Sequence, residues 1–219
     1  MRLVSRDAML VKICGITRPE DAEAAVALGA GAIGFVFWPG SPRFIDPVRA
    51  RSIGDRLPRS IVTVGVFVNQ TTADINNAAR QAGLTRVQLH GDETPEAYAG
   101  VEYPVIRAES LSSGQSPAFD AWPADTIWLV DAPDLVRRGG TGRLSDWAAA
   151  ATLARSRPVW LAGGLTPANV GPAIAQVRPS GVDVSSGVES SPGVKDHDQL
   201  RALFAAIRSA TTSSTGDLK

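Results

Sequence analysis

Cysteine is almost missing from this chain: among 219 residues only Cys14 carries a thiol. No disulfide can close within the chain, and a zinc site built on cysteines is out of reach. Histidine is nearly as scarce, with only His90 and His197, so a metal centre would have to be mostly carboxylate, and none is expected. An excess of charge of either sign is also lacking. The 22 Lys and Arg residues balance 22 Asp and Glu, for a formal net charge of zero. Nucleic acid, which selects a basic face, is therefore not an expected partner. No apolar run approaches the roughly 20 residues that span a bilayer. The stretch from Met1 to Leu10 carries Arg2, Arg6 and Asp7 and lacks the apolar centre of a signal peptide. The expected address is the cytoplasm, with no membrane partner.

What is present is ordinary for a globular domain: 44% apolar and 20% charged residues. A chain of this length buries roughly 70% of the surface its unfolded form exposes, enough for a core without cross-links. Short β-branched runs recur at Leu10–Cys14, Ala32–Val36, Ile61–Phe67, Arg86–Leu89, Val105–Ala108, Ile127–Val130, Val159–Ala162 and Val182–Val184. Ala-rich stretches of helical periodicity lie between them. These are Pro19–Leu28, Pro47–Leu57, Thr72–Ala82, Thr94–Ala99, a weak one after Pro117, Ser145–Arg155, Asn169–Val177 and Asp196–Ser209. Thr17 is expected to cap the first helix, with Pro19 in its first turn and Glu20 at the capping-box position, and Thr166-Pro167 repeats the arrangement. Gly29, Gly83 and Gly181 fall where a left-handed residue is often needed.

Continuous apolar strands separated by helices indicate a parallel sheet covered on both faces. Eight such units in about 200 residues fit a single α/β domain, a (β/α)₈ TIM barrel with eight parallel strands, of the phosphate-binding type. An open doubly wound sheet would want a Gly-rich dinucleotide turn after its first strand, and Cys14-Gly15-Ile16-Thr17 is not one. The barrel is expected over residues 1–210, with a polar, frayed tail over 211–219.

In such barrels the chemistry sits at the C-terminal strand ends. Here those ends carry Cys14, the pair Gln88 and His90, Asp131, Gly163-Gly164 and Ser185-Ser186-Gly187, and the second loop carries Arg43. Gly163, Gly164, Ser185, Ser186 and Gly187 follow strands seven and eight, where backbone N–H groups commonly hold phosphate. The alternative is a pair of tight turns. Cys14 is either an inert buried thiol or, as thiolate, a base or nucleophile. Asp131 precedes a long loop with Gly139-Gly140-Thr141-Gly142, which makes plain helix capping a poor account of it. That loop reads as a substrate cover around Gly140, or as a structural turn. Arg43 offers a planar fork suited to a carboxylate, whereas His90 by itself reads as structural. Asp183, between Val182 and Val184, needs a partner, either substrate hydroxyls or an internal salt bridge.

These residues lie in blocks that resemble one family. Lys12-Ile13-Cys14-Gly15-Ile16-Thr17 is similar to the first strand and loop of phosphoribosylanthranilate isomerases. The likeness continues through Gly34-Phe35-Val36-Phe37, Ser41-Pro42-Arg43, Val64 to Asn69, Val87 to Gly91, Leu129-Val130-Asp131 and Gly139 to Gly142. It ends with Leu161 to Leu165, Asp183 to Glu189 and Pro192 to Asp196. The resemblance implies a phosphoribosyl substrate, N-(5-phosphoribosyl)anthranilate, and an Amadori rearrangement in tryptophan biosynthesis. It implies Cys14 as general base and Asp131 as general acid, Arg43 on the anthranilate carboxylate, and phosphate held near Gly164 and Ser186. Gln88, His90, Gly140 and Asp183 are taken as further substrate-binding residues. Electron rearrangement stays within the substrate, so no cofactor is demanded. Two departures stand out: Gly40, where the family often has Lys before Ser-Pro-Arg, and Leu144-Ser145-Asp146-Trp147, where Phe-Asp-Trp is more familiar. Another phosphate-binding barrel isomerase or epimerase remains the rival, although those use two aspartates. A non-catalytic phosphate-binding barrel is a second, and a purely structural domain a third. A monomer is expected, since nothing in the sequence demands a dimer, though a dimer stays open.

Overall fold

The computed structural model describes residues 9–111, 121–132 and 144–213. Eight parallel strands close into a barrel in sequence order: β1 (Leu10–Ile13), β2 (Ala32–Val36), β3 (Val62–Phe67), β4 (Arg86–Leu89), β5 (Val105–Ser110), β6 (Ile127–Asp131), β7 (Val159–Leu161) and β8 (Gly181–Val184). β1 pairs with β8 along its length, from Leu10 opposite Gly181 to Ile13 opposite Val184, which seals the barrel. The helices are α1 (Pro19–Leu28), α2 (Pro47–Gly54), α3 (Thr72–Ala82), α4 (Trp147–Ala154), α5 (Val170–Val177) and α6 (His197–Ser213). A hairpin of β9 (Glu189–Ser191) and β10 (Val194–Lys195) follows β8.

Strand alternation sorts the residues into two apolar regions. Val11, Ile13, Ile33, Phe35, Val87, Leu89, Val130, Leu161, Val182 and Val184 pack outward against the helices. Val64, Ile106, Ala108, Leu129, Trp160 and Ala162 fill the lumen, and Cys14, Val36 and Val66 form its upper layer. The polar residues Lys12, Gln88, Asp131 and Asp183 of β1, β4, β6 and β8 are also all buried. The barrel axis is thus apolar at one end and polar at the end where the loops gather.

Several local expectations are corrected. Thr94–Ala99 is a series of turns, not a helix. Six residues are too few to offset helix nucleation, and side chains of the preceding segment take the carbonyls instead. Thr72 Oγ1 donates to Ala97 O at 2.8 Å and Asn76 Nδ2 to Gly100 O at 2.9 Å. Thr17 does not cap α1. The N-cap is Arg18, without a side-chain cap, because Thr17 Oγ1 donates to Gly193 O at 2.6 Å. Glu20 therefore pairs with Arg18 rather than closing a capping box. Thr166-Pro167 does not repeat such a start either: α5 begins at Val170, after Asn169. Gly29 and Gly83 are left-handed C-caps. Gly181 is not, and a Cβ there would stand 2.8 Å from the Trp160 indole. α6 runs through Ser213, three residues into the expected tail. The weak helix after Pro117 begins outside the described residues.

Among the described residues no helix is long and apolar enough to cross a membrane. Nor does any group of three or more His, Cys, Asp or Glu there have the placement to hold a metal ion.

Candidate active site

The polar end of the lumen is built by period-two alternation on four strands. Lys12 and Cys14 share one side of β1 and its end, Gln88 and His90 one side of β4, while Asp131 ends β6 and Asp183 lies in β8. Their side chains form one network. Lys12 Nζ donates to Gln88 Oε1 and to Asp183 Oδ2, both at 2.8 Å. Gln88 Nε2 meets His90 Nδ1 at 3.2 Å, and His90 Nε2 meets Asp131 Oδ2 at 3.1 Å. Asp131 Oδ1 accepts the N–H of Ala132 at 2.7 Å. Of the two partners foreseen for Asp183, the internal ion pair is present at Oδ2, while Oδ1 is buried without a hydrogen-bond partner among the described residues.

Burial pushes the Cys14 thiol above its ordinary value, and the Asp183 carboxylate adds to that rise. The Lys12 and Lys195 ammonium groups act in the opposite direction, Lys12 also by a hydrogen bond. Lys12 itself loses hydration on burial, yet the Asp183 and Cys14 partners outweigh this and its pKa is raised. It stays charged in the lumen.

Arg43 sits on the rim, where it is buried, and its guanidinium grips Glu189. Nε donates to Oε1 at 2.9 Å and Nη2 to Oε2 at 2.6 Å, a bidentate clamp that leaves Nη1 outside it. Glu189 Oε1 also receives Lys195 Nζ at 2.7 Å, and the same ammonium reaches Cys14 O at 2.6 Å and Ser185 O at 3.3 Å. The β9–β10 hairpin thus ties the ends of β1 and β8 to the Arg43 loop. In that loop the Trp38 ring lies over Gly40, where a Cβ would come within 2.6 Å of it. Trp38 also packs against Cys14, Val36 and Val66. Glycine at position 40 makes room for this indole.

The loops after β7 and β8 interlock. A Cβ on Gly187 would fall 1.9 Å from Leu165 O, and one on Gly163 2.6 Å from Ala132 N. No side chain other than glycine's lets the loops approach so closely. Ser186–Val188 forms a 3₁₀ turn. Asn169 braces the other loop, accepting from Thr166 N at 2.7 Å and donating to Gly164 O at 2.9 Å. The backbone N–H groups of Gly164, Ser186 and Gly187 make no hydrogen bond among the described residues, as an anion site requires. The Ser185 hydroxyl is engaged elsewhere, donating to Cys14 O at 3.1 Å.

Of the residues singled out in the sequence, Cys14, Gln88, His90, Asp131 and Asp183 meet around the network. Arg43 stands beside it, and Gly163, Gly164, Ser185, Ser186 and Gly187 lie in the two interlocked loops. Gly140 lies outside the described residues. Lys12, Glu189, Lys195 and Asn169 had been given no role. Lys12 shares the parity of Cys14, so alternation alone would have pointed it inward. The Glu189–Lys195 pair carries no such local signal.

A sequence model described as N-(5'phosphoribosyl)anthranilate (PRA) isomerase matches residues 11–206. The N-(5'-phosphoribosyl)anthranilate isomerase of Pseudomonas fluorescens (strain Pf0-1) is 46% identical over 203 residues, covering 92% of this chain and 99% of the relative. The crystal structure of phosphoribosyl anthranilate isomerase from Thermus thermophilus is 45% identical, with a TM-score of 0.84 over 92% of this chain and 99% of that one. Another phosphoribosyl anthranilate isomerase, solved in complex with reduced 1-(o-carboxyphenylamino)-1-deoxyribulose 5-phosphate, is 39% identical, with a TM-score of 0.81 over 92% of this chain and all of that one. Matched over nearly its whole length by the family model and by relatives of equal extent, the chain belongs to the N-(5'-phosphoribosyl)anthranilate isomerase family.

Proposed function

We propose that this chain catalyses the Amadori rearrangement of N-(5'-phosphoribosyl)anthranilate to 1-(2-carboxyphenylamino)-1-deoxyribulose 5-phosphate in tryptophan biosynthesis, with Asp131 as general acid and Cys14 as general base. The observation that carries it is the pairing of a thiol and a carboxyl on the rims of β1 and β6, bridged across the lumen by Lys12, Gln88 and His90.

Asp131, carrying a proton at that moment, protonates the furanose ring oxygen, and the C1–O bond opens to a Schiff base. Cys14 then removes the C2 proton, and the electron pair flows to the nitrogen to give an enolamine. Tautomerisation of the enolamine yields the ketone. No electrons leave the substrate, so the step needs no cofactor. The unoccupied N–H groups of Gly164, Ser186 and Gly187 suit the phosphate. Arg43, oriented by Glu189, keeps Nη1 for the anthranilate carboxylate, while Asp183 Oδ1 awaits a substrate hydroxyl. The chain's place in amino-acid biosynthesis supports a cytoplasmic location.

Loss of fluorescence from phosphoribosylanthranilate generated in situ tests the assignment. Wild type is expected to turn over, and Cys14→Ala and Asp131→Asn to lose kcat by orders of magnitude with folding intact. No turnover by wild type would sink the reading. A rival isomerase acting on a related phosphoribosyl compound would leave this substrate untouched.

A further inference from the structure

Lys12 is wholly buried, yet its ammonium packs no better than a methionine and costs far more to desolvate. Such a charge is retained in a lumen only if it organises something. We propose that Lys12 is a positioning residue for both halves of the acid–base pair. Its ammonium stands as a fixed positive charge beside the Cys14 sulfur and, through Gln88, turns the His90 Nε2–H toward Asp131. The proposal rests on the acid and base roles assigned above.

The first half is steric and electrostatic. Lys12 and Cys14 both crowd Gly34, where a Cβ would stand 2.8 Å from Cys14 Sγ and 3.0 Å from Lys12 Cε. Glycine on β2 is what lets ammonium and sulfur lie side by side. The charged groups that face the sulfur are Lys12 from β1, Asp183 from β8 and Lys195 from β10. Asp183 opposes a thiolate, so Lys12 and Lys195 together must outweigh it. Lys195 is already shared among Cys14 O, Ser185 O and Glu189. Lys12 is the cation whose side chain lies beside the sulfur at Gly34.

The second half follows from donor and acceptor counting. An ammonium only donates, so the atom of Gln88 that faces Lys12 must be Oε1. The Gln88 amide nitrogen is then left facing His90 Nδ1 at 3.2 Å. An amide NH₂ also only donates, so Nδ1 must accept and the ring proton must sit on Nε2. That proton points at Asp131 Oδ2, 3.1 Å away. One charge on β1 thus sets the polarity of every hydrogen bond as far as β6. Without it Gln88 is free to turn over, and His90 to carry its proton on Nδ1.

Two readouts independent of turnover test this. The single cysteine lets iodoacetamide report on Cys14 alone. The two histidines give two sets of ¹⁵N resonances, assigned with His197→Gln. Wild type is expected to show His90 in the Nε2–H tautomer at neutral pH, and an Nδ1–H tautomer there would overturn the proposal. In Lys12→Met the alkylation profile is expected to move to higher pH, with the rate at pH 7.5 down about tenfold or more. His90 should become a mixture of tautomers, and kcat should fall with KM little changed. Because Lys12→Met strands Asp183, Lys12→Met/Asp183→Asn removes both charges, and folding of each is checked by circular dichroism. Lys12→Arg, which keeps the charge and only donates, should restore the His90 tautomer. An unshifted alkylation profile with an unchanged His90 spectrum in a folded variant would refute the role of Lys12. If the wild type fails to turn over the substrate while both readouts respond, the assigned reaction falls and the arrangement around Lys12 stands.

Discussion

Glu189 shows at a single residue how burial and pairing compete. Burial alone would raise its carboxyl, but the hydrogen bonds and charges of Arg43 and Lys195 outweigh that, and it lies below the ordinary glutamate value. A carboxyl with a depressed folded pKa contributes stability that is complete above its unfolded value, roughly 4.3. That contribution is lost as pH falls through the lower folded value. Glu189→Gln is therefore expected to be less stable than wild type near neutrality, with the difference closing below about pH 4.3. Urea midpoints taken from pH 3 to pH 7 check this, and parallel curves would contradict it. The same substitution loosens Arg43, so KM should rise more than kcat falls. Arg43 was visible in the sequence as a fork suited to a carboxylate. Its partner was not, because Glu189 lies 146 residues away and only the hairpin brings it near.

At the scale of elements, the helix starts show where local rules yield. Asp46 and Asp146 cap α2 and α4 through their side chains as such rules ask. Thr17 does not, since a backbone carbonyl from the distant hairpin, Gly193 O, captures its hydroxyl. The two loops after β7 and β8 are a second case. Each was recognisable by its glycines, but the reason for Gly187 is the Leu165 carbonyl of the other loop. Gly187→Ala must push the loops apart, because the atom in the way is backbone and cannot swing aside. We expect KM for the phosphorylated substrate to rise about tenfold or more, roughly 1.4 kcal/mol of lost binding, with the circular dichroism spectrum unchanged. Steady-state kinetics at saturating and limiting substrate distinguish this from a fall in kcat. Unaltered KM would mean that the loops do not hold the phosphate.

For the whole molecule, closing β1 against β8 creates the lumen, and the lumen decides stability and chemistry together. Leu129 is fully buried among Val64, Ile106, Ala108, Trp160 and Ala162. Leu129→Ala is expected to cost about 2–5 kcal/mol, because neighbours drawn from three other strands cannot collapse into the space. Each kcal/mol corresponds to roughly 2–4 °C in melting temperature for a domain of this size. Calorimetry reads the shift, and a loss well under 1 kcal/mol would mean that the barrel contracts freely.

The sequence by itself determined the eight parallel strands, their cores to within a residue or two, and the placement of Cys14, Arg43, His90 and Asp131 on the rim. Those follow from periodicity and from glycine and proline placement, which act over a few residues. Only the tertiary structure decided what each polar group faces. Thr94–Ala99 forms turns, and α3 side chains bind the carbonyls of Ala97 within it and Gly100 just after it. Asp183 pairs one oxygen with Lys12 and keeps the other buried without a partner among the described residues. Lys12, Gln88 and His90 link β1 to Asp131 on β6, and the Lys12–Gln88 contact alone spans 76 positions of sequence. A buried charge must find a partner wherever the chain brings one, and barrel closure is a non-local event that no short stretch of sequence encodes.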